Sequence, residues 1–118
     1  MMTNVVTGNP GDTENVRTFV DGSTHSHAVL RSAAIGLGTY QPGWRWSLHA
    51  GTQTGKTSRS HIGYVVAGRM MVKDASGNQV EVVPGGAFEV GPGHDAWVVG
   101  NTPCTALDFV PMVRSIEE

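Results

Sequence analysis

Three histidines stand in stretches that read as alternating strands. His49 closes Gly43-Trp44-Arg45-Trp46-Ser47-Leu48-His49, His61 opens His61-Ile62-Gly63-Tyr64-Val65-Val66-Ala67-Gly68, and His94 follows Pro92-Gly93 in a run ending at Trp97. Converging inside a narrow barrel, their imidazoles would give a divalent transition metal (iron, manganese, nickel, zinc or copper) a neutral nitrogen cage with positions open to water or substrate. No carboxylate in that trio would cancel the ion's charge, so an anionic substrate and stronger Lewis-acid polarisation are expected. Alternation places Arg45 and Ser47 on the face of His49, which makes Arg45 the candidate anion anchor. Singly, each histidine also fits a hydrogen-bonded core residue, and as a set they could contact a small ligand directly without a metal.

Elements able to carry these residues are short. Sixteen glycines and six prolines punctuate runs rich in Val, Thr, Phe, Tyr and Trp, and no apolar helical periodicity lasts beyond two turns. The pattern predicts strands near Val16 to Val20, His27 to Arg31, Ala34 to Tyr40, Trp44 to His49, His61 to Ala67, Arg69 to Lys73, Gln79 to Val83, Ala87 to Val90, Asp95 to Val99 and Thr105 to Val110. Asp74-Ala75-Ser76-Gly77-Asn78 is a hairpin signal, and Pro84-Gly85-Gly86 and Gly91-Pro92-Gly93 mark further corners. So many closely spaced strands favour an all-β closed barrel or jelly roll. Residues 1–14 read as a flexible or exchanged arm, and 15–118 as one barrel domain.

Composition narrows the function classes. Eight Lys and Arg against ten Asp and Glu leave a net charge of −2 with no basic stripe, so no nucleic-acid partner is expected. The start of the chain has neither a charged leader nor a long apolar stretch, which predicts no membrane partner and a cytoplasmic location. Cys104 is the only cysteine, so no internal disulfide can form, and it reads as a small buried hydrophobe. A chain of 118 residues leaves much surface exposed, which a homodimer would cover.

The order Tyr64-Val65-Val66-Ala67-Gly68, Pro84-Gly85-Gly86, Val90-Gly91-Pro92-Gly93 resembles the two motifs of the cupin superfamily over roughly residues 38 to 110. The resemblance implies a single double-stranded β-helix, a cupin jelly-roll barrel, commonly dimeric. It also locates a metal site, from which this chain departs. The first motif normally supplies His-x-His and then a Glu three residues before the Tyr; His61 occupies the Glu position, and Gly55 and Thr57 stand where the histidines would fall. His49 would substitute across a longer loop. In the second motif the expected histidine position holds Ala96, while His94 lies two residues earlier and so on the same strand face.

The metal set is therefore His49, His61 and His94, with Arg45, Tyr64 and Trp97 as candidate substrate contacts; core packing is the plainer reading of Tyr64 and Trp97. In the His61 strand, His61, Gly63 and Val65 share one face, where small neighbours leave room for a ligand. The Trp44, Trp46 and Leu48 face is expected against a second sheet or a partner, with the His49 face in the cavity. His25-Ser26-His27 reads as an exposed strand start, and Asp95 and Asp108 could each orient a liganding imidazole or hold a turn, the turn role being favoured for Asp108. Because three-histidine cupins include iron oxygenases, the resemblance implies oxygenase-like action on a small, anionic molecule, with no nearby acid or base for a lyase or hydrolase. The alternative is a non-catalytic sensor or binding barrel.

Overall fold

Two antiparallel sheets build the molecule, because its runs alternate inward and outward side chains and are separated by tight glycine corners. The computed structural model describes residues 5–55 and 57–111. Its strands are β1 (Val16–Thr18), β2 (Thr24–Val29), β3 (Ala33–Tyr40), β4 (His61–Ala67), β5 (Met70–Lys73), β6 (Gln79–Val82), β7 (Ala87–Val90), β8 (Asp95–Val98) and β9 (Cys104–Pro111). One sheet has the order β1-β2-β3-β9-β4-β7 and the other β6-β5-β8. The expected all-β barrel is what forms. No helix among the described residues is long and apolar enough to cross a membrane.

Alternation decides which side chains meet between the sheets. Gly63 and Val65 of β4 are buried, whereas Ile62, Tyr64 and Val66 are exposed on its outer face. Met70 and Val72 of β5, Val82 of β6 and Val98 of β8 approach from the smaller sheet, and Val90 and Cys104 complete the cluster from the larger one. Val65 and Cys104 are fully buried. Cys104 thus behaves as the expected hydrophobe; burial pushes its thiol up to about 11, so it stays protonated at neutral pH.

One expected strand is absent. Trp44 to His49 keeps only a single bridge, Arg45 to Trp97, before the chain enters a π-helical turn, Trp46–Ala50, followed by one α-helical turn, α1 (Gly51–Thr54). The cause lies fifty positions away. Asp95 accepts the Ser47 amide N–H at 2.9 Å and the Ser47 hydroxyl at 2.8 Å, while the Arg45 carbonyl accepts the amides of Leu48 and His49. These bonds satisfy the backbone locally and replace a strand ladder. Within the expected arm, residues 1–4 lie outside the described residues, and Pro10 accepts a hydrogen bond from Ser26 of β2.

Val65→Ala, which opens a void at a fully buried position, is expected to cost about 2 kcal/mol. Val66→Ala on the outer face of the same strand should change stability by less than about 0.5 kcal/mol. Equilibrium urea unfolding of both variants checks the assignment of inner and outer faces.

Candidate functional site

A cavity of about 1110 Å³ lies between the sheets, large enough for a ligand of several sugar or amino-acid units. Its histidines and Asp108 come from three strands and one corner. His25 and His27 project from β2, Asp108 from β9, His61 from the start of β4, and His94 from the corner before β8. Trp44, Trp46, Tyr40 and Phe88 supply aromatic walls.

The sheet register explains why these side chains meet. Across the larger sheet His27 pairs with Gly36, Gly36 with Asp108, Asp108 with Gly63, and Gly63 with Phe88. Glycine thus stands on both sides of Asp108. A Cβ at Gly36 would overlap the Asp108 carboxylate and come within 2.6 Å of His25 Nε2, and one at Gly63 would come within 2.6 Å of the Phe88 ring. The missing side chains are the space through which Asp108 reaches across β3 to β2.

There Asp108 holds two imidazoles. His25 Nε2 lies 3.3 and 3.2 Å from its two oxygens, and His61 Nε2 lies 3.6 Å from Oδ2. A carboxylate only accepts, so His25 donates through Nε2. Burial alone would raise the Asp108 carboxyl, but the His25 hydrogen bond and the nearby His25 and His61 charges outweigh it and hold it below the usual carboxylate range. His61 moves the other way. Burial is the main cause and disfavours its charged form; Asp108 opposes this, while His94 and His25 add to it, and the net value falls below that of a free histidine. His61 is therefore a neutral imidazole at neutral pH. It stacks on Phe88, with centroids 5.9 Å apart and planes 11° from parallel.

His94 faces His61 across 5.9 Å between ring centroids. Its Nδ1 lies 3.1 Å from the Gly91 carbonyl, which can only accept, so Nδ1 carries a proton and donates. Ser58, itself buried, fixes this corner: its hydroxyl donates to the His94 carbonyl at 2.7 Å, and its own carbonyl accepts the Gly93 amide at 3.0 Å. Tyr40 is raised by burial and then by Asp108 and Cys104, so its phenol stays protonated. The Trp44 indole N–H is buried without an acceptor among the described residues.

Three of the residues expected at the site lie elsewhere, and His49 is a fourth. His49 sits in the π-helical turn, where its Nδ1 accepts the Arg45 amide at 3.0 Å, and it does not line the cavity. Arg45 stacks its guanidinium 4.2 Å from the Trp97 ring centroid and donates to Asp95 at 2.8 Å, so both Arg45 and Trp97 belong to the outer side of β8. Tyr64 points outward from β4. The face expected to carry His49 is thus the outer one, and Trp44 and Trp46 line the cavity instead. Asp95 acts as the partner of Arg45 and Ser47, and its carboxyl is lowered because those hydrogen bonds outweigh its burial. His61 and His94 are brought together; His94 and Ala96 both line the cavity, as their shared parity requires.

Sequence reasoning weighed His25, His27 and Asp108 but left them outside the site, with Asp108 favoured as a turn former. The signal was present in the alternation of His25-Ser26-His27 opposite Gly36-Leu37-Gly38, which opens one face of a strand pair. The imidazoles and Asp108 are chemically suited to a transition metal. Their positions are not: among the described residues, no group of three or more His, Cys, Asp or Glu is placed to hold an ion.

Because Asp108 is held low, its contribution to stability is present above the ordinary carboxylate range and is lost as pH falls through its depressed value. His61, also depressed, contributes stability above the usual histidine value that declines as pH drops below it. Thermal melts across acid to neutral pH should therefore show a flatter acid limb in Asp108→Asn and a weaker slope near pH ~6 in His61→Gln. Unchanged profiles in both variants would contradict these environments.

No protein-family model matches the chain. No curated protein matches it either. Solved structures do. A sugar phosphate isomerase from the cupin superfamily of Silicibacter pomeroyi superposes with a TM-score of 0.62 at 16% identity, covering 83% of this chain and 71% of the other. KdgF from Halomonas sp. gives 0.61 at 19% identity, covering 88% and 90%. The cupin domain of Cnp3 from Schizosaccharomyces pombe gives 0.60 at 12% identity, covering 86% and 72%. With two packed antiparallel sheets around a histidine-lined cavity, the chain has the fold of the cupin barrels.

Proposed function

We propose that this barrel binds a small, oxygen-rich molecule and moves a proton on it, with His61 and His94 as the proton-handling groups and Asp108 and His25 positioning His61. The observation that carries this reading is the facing of His61 and His94 across 5.9 Å in one cavity, with His61 beside an ionised carboxylate. An imidazole acting as a base can take a proton from a carbon next to a carbonyl and return it to the neighbouring oxygen or carbon, and a second one facing it can share that task. Such an isomerisation balances by itself and needs no oxidant or co-reactant.

Other features agree. The unsatisfied Trp44 N–H would gain an acceptor from a ligand oxygen, and aromatic walls at Trp46 and Phe88 suit the apolar face of a sugar-like ring. A structural neighbour described as a sugar phosphate isomerase supports the same class of reaction. The oxygenase chemistry expected from the sequence would call for three donors around an ion. His49 is turned away, and among the described residues the remaining donors are not so arranged.

Incubating the protein in D₂O with a panel of small aldoses, ketoses and keto acids, and following the C–H signals beside the carbonyl by NMR, tests the proposal. Exchange is expected with the wild type, at least about tenfold slower in His61→Gln and in His94→Gln, and unaffected by a chelator. Exchange that disappears with the chelator would put a metal-dependent reaction in its place. Equal exchange in wild type and both variants would overturn the assignment.

A further inference from the structure

The segment between α1 and β4, Thr57-Ser58-Arg59-Ser60, has no regular secondary structure, yet all four residues line the cavity. It ends at His61. Ser58 is the anchor: buried, it is tied by two hydrogen bonds to the Gly93-His94 corner, which fixes the segment to the same unit that aims His94. Thr57, Arg59 and Ser60 remain exposed, and none of their side chains has a hydrogen bond or ion pair among the described residues. Arg45 and Arg69, by contrast, are committed to Asp95 and Glu81.

The carboxylates of the cavity are Glu14 and Asp108. Asp108 is already engaged with His25 and His61, and Glu14 comes from the stretch before β1, a strand at the edge of the larger sheet opposite to that of β4 and β7. Arg59 and His61, two residues apart, both line the cavity. A guanidinium next to the Ser60 hydroxyl and two residues from that of Thr57, lining the same cavity as His61 and His94, is a positive site offering planar, charge-assisted donors.

We infer that Thr57, Arg59 and Ser60 form an anion clamp, so that the molecule handled by His61 and His94 carries a compact anionic group, a phosphate ester or a carboxylate. This rests on the reaction site proposed above and assigns it a substrate class. It also moves the anion anchor from Arg45, which the outer face of β8 occupies, to Arg59 at the mouth. Ser58 is the positioning residue that couples the clamp to His94.

Calorimetric titration of the full chain with inorganic phosphate and, separately, malonate tests the clamp without requiring turnover. At least one of these anions is expected to bind, and Arg59→Gln is expected to weaken it by about tenfold or more. Arg69→Gln, on a surface pair with Glu81, should leave binding unchanged. Stronger phosphate binding identifies a phosphate ester as the natural group, and stronger malonate binding a carboxylate. The clamp is overturned if neither anion binds, or if Arg59→Gln, melting as the wild type does, binds both with unaltered affinity. Anion binding that survives in His61→Gln while C–H exchange is lost supports clamp and reaction site separately. Exchange on a sugar phosphate or a keto acid that is insensitive to Arg59→Gln would overturn the clamp and leave the reaction site standing.

Discussion

The carboxylate of Asp108, held between His25 and His61 inside the barrel, is the interaction on which the site depends. It joins three strands that are not all neighbours. β9 and β4 are adjacent, but β2 is reached only across β3, and that reach exists because Gly36 has no side chain. A buried carboxylate without partners would be costly and would take up a proton. With two imidazoles beside it, Asp108 stays ionised, and the histidines acquire defined orientations. The polar centre is thus self-consistent, and the apolar cluster around Val65 and Val98 closes it from the core side.

A second carboxylate performs the complementary task outside. Asp95 collects the Arg45 guanidinium and the backbone and hydroxyl of Ser47, and these bonds accompany the change from the single bridge at Arg45 to the π-helical turn. Trp46 is thereby delivered to the cavity wall and His49 is turned back onto the backbone of Arg45. Two aspartates, one inside and one outside, divide the work of organising the site. Neither could be replaced by a generic polar residue without losing charge-assisted bonds.

Much of the fold was legible in the sequence because it depends on local alternation and on corners. β4 runs from His61 to Ala67 as its pattern predicts, with His61 on the face of Gly63 and Val65, and the corner at Gly91-Pro92-Gly93 leaves His94 on the face of Ala96. The site was legible only in part, because the remainder depends on long-range pairing. Trp44 to His49 alternates as a strand should, and nothing within it reveals that Asp95 will take the Ser47 amide. Asp108 has no local feature that separates a turn aspartate from a cavity one; its role follows from Gly36 lying opposite it in the register. His25 and His27 carried a usable signal in their spacing, but whether that face turns inward is decided by how β2 pairs on both edges.

The account is tested most directly by a double-mutant cycle on His25→Gln and Asp108→Asn, with unfolding free energies measured for the four proteins at neutral pH. Coupling of about 1 kcal/mol or more is expected for a partly buried, charge-assisted pair of this kind. Strictly additive effects of the two substitutions would show that Asp108 does not hold His25, and the arrangement of imidazoles built on that contact would fall with it.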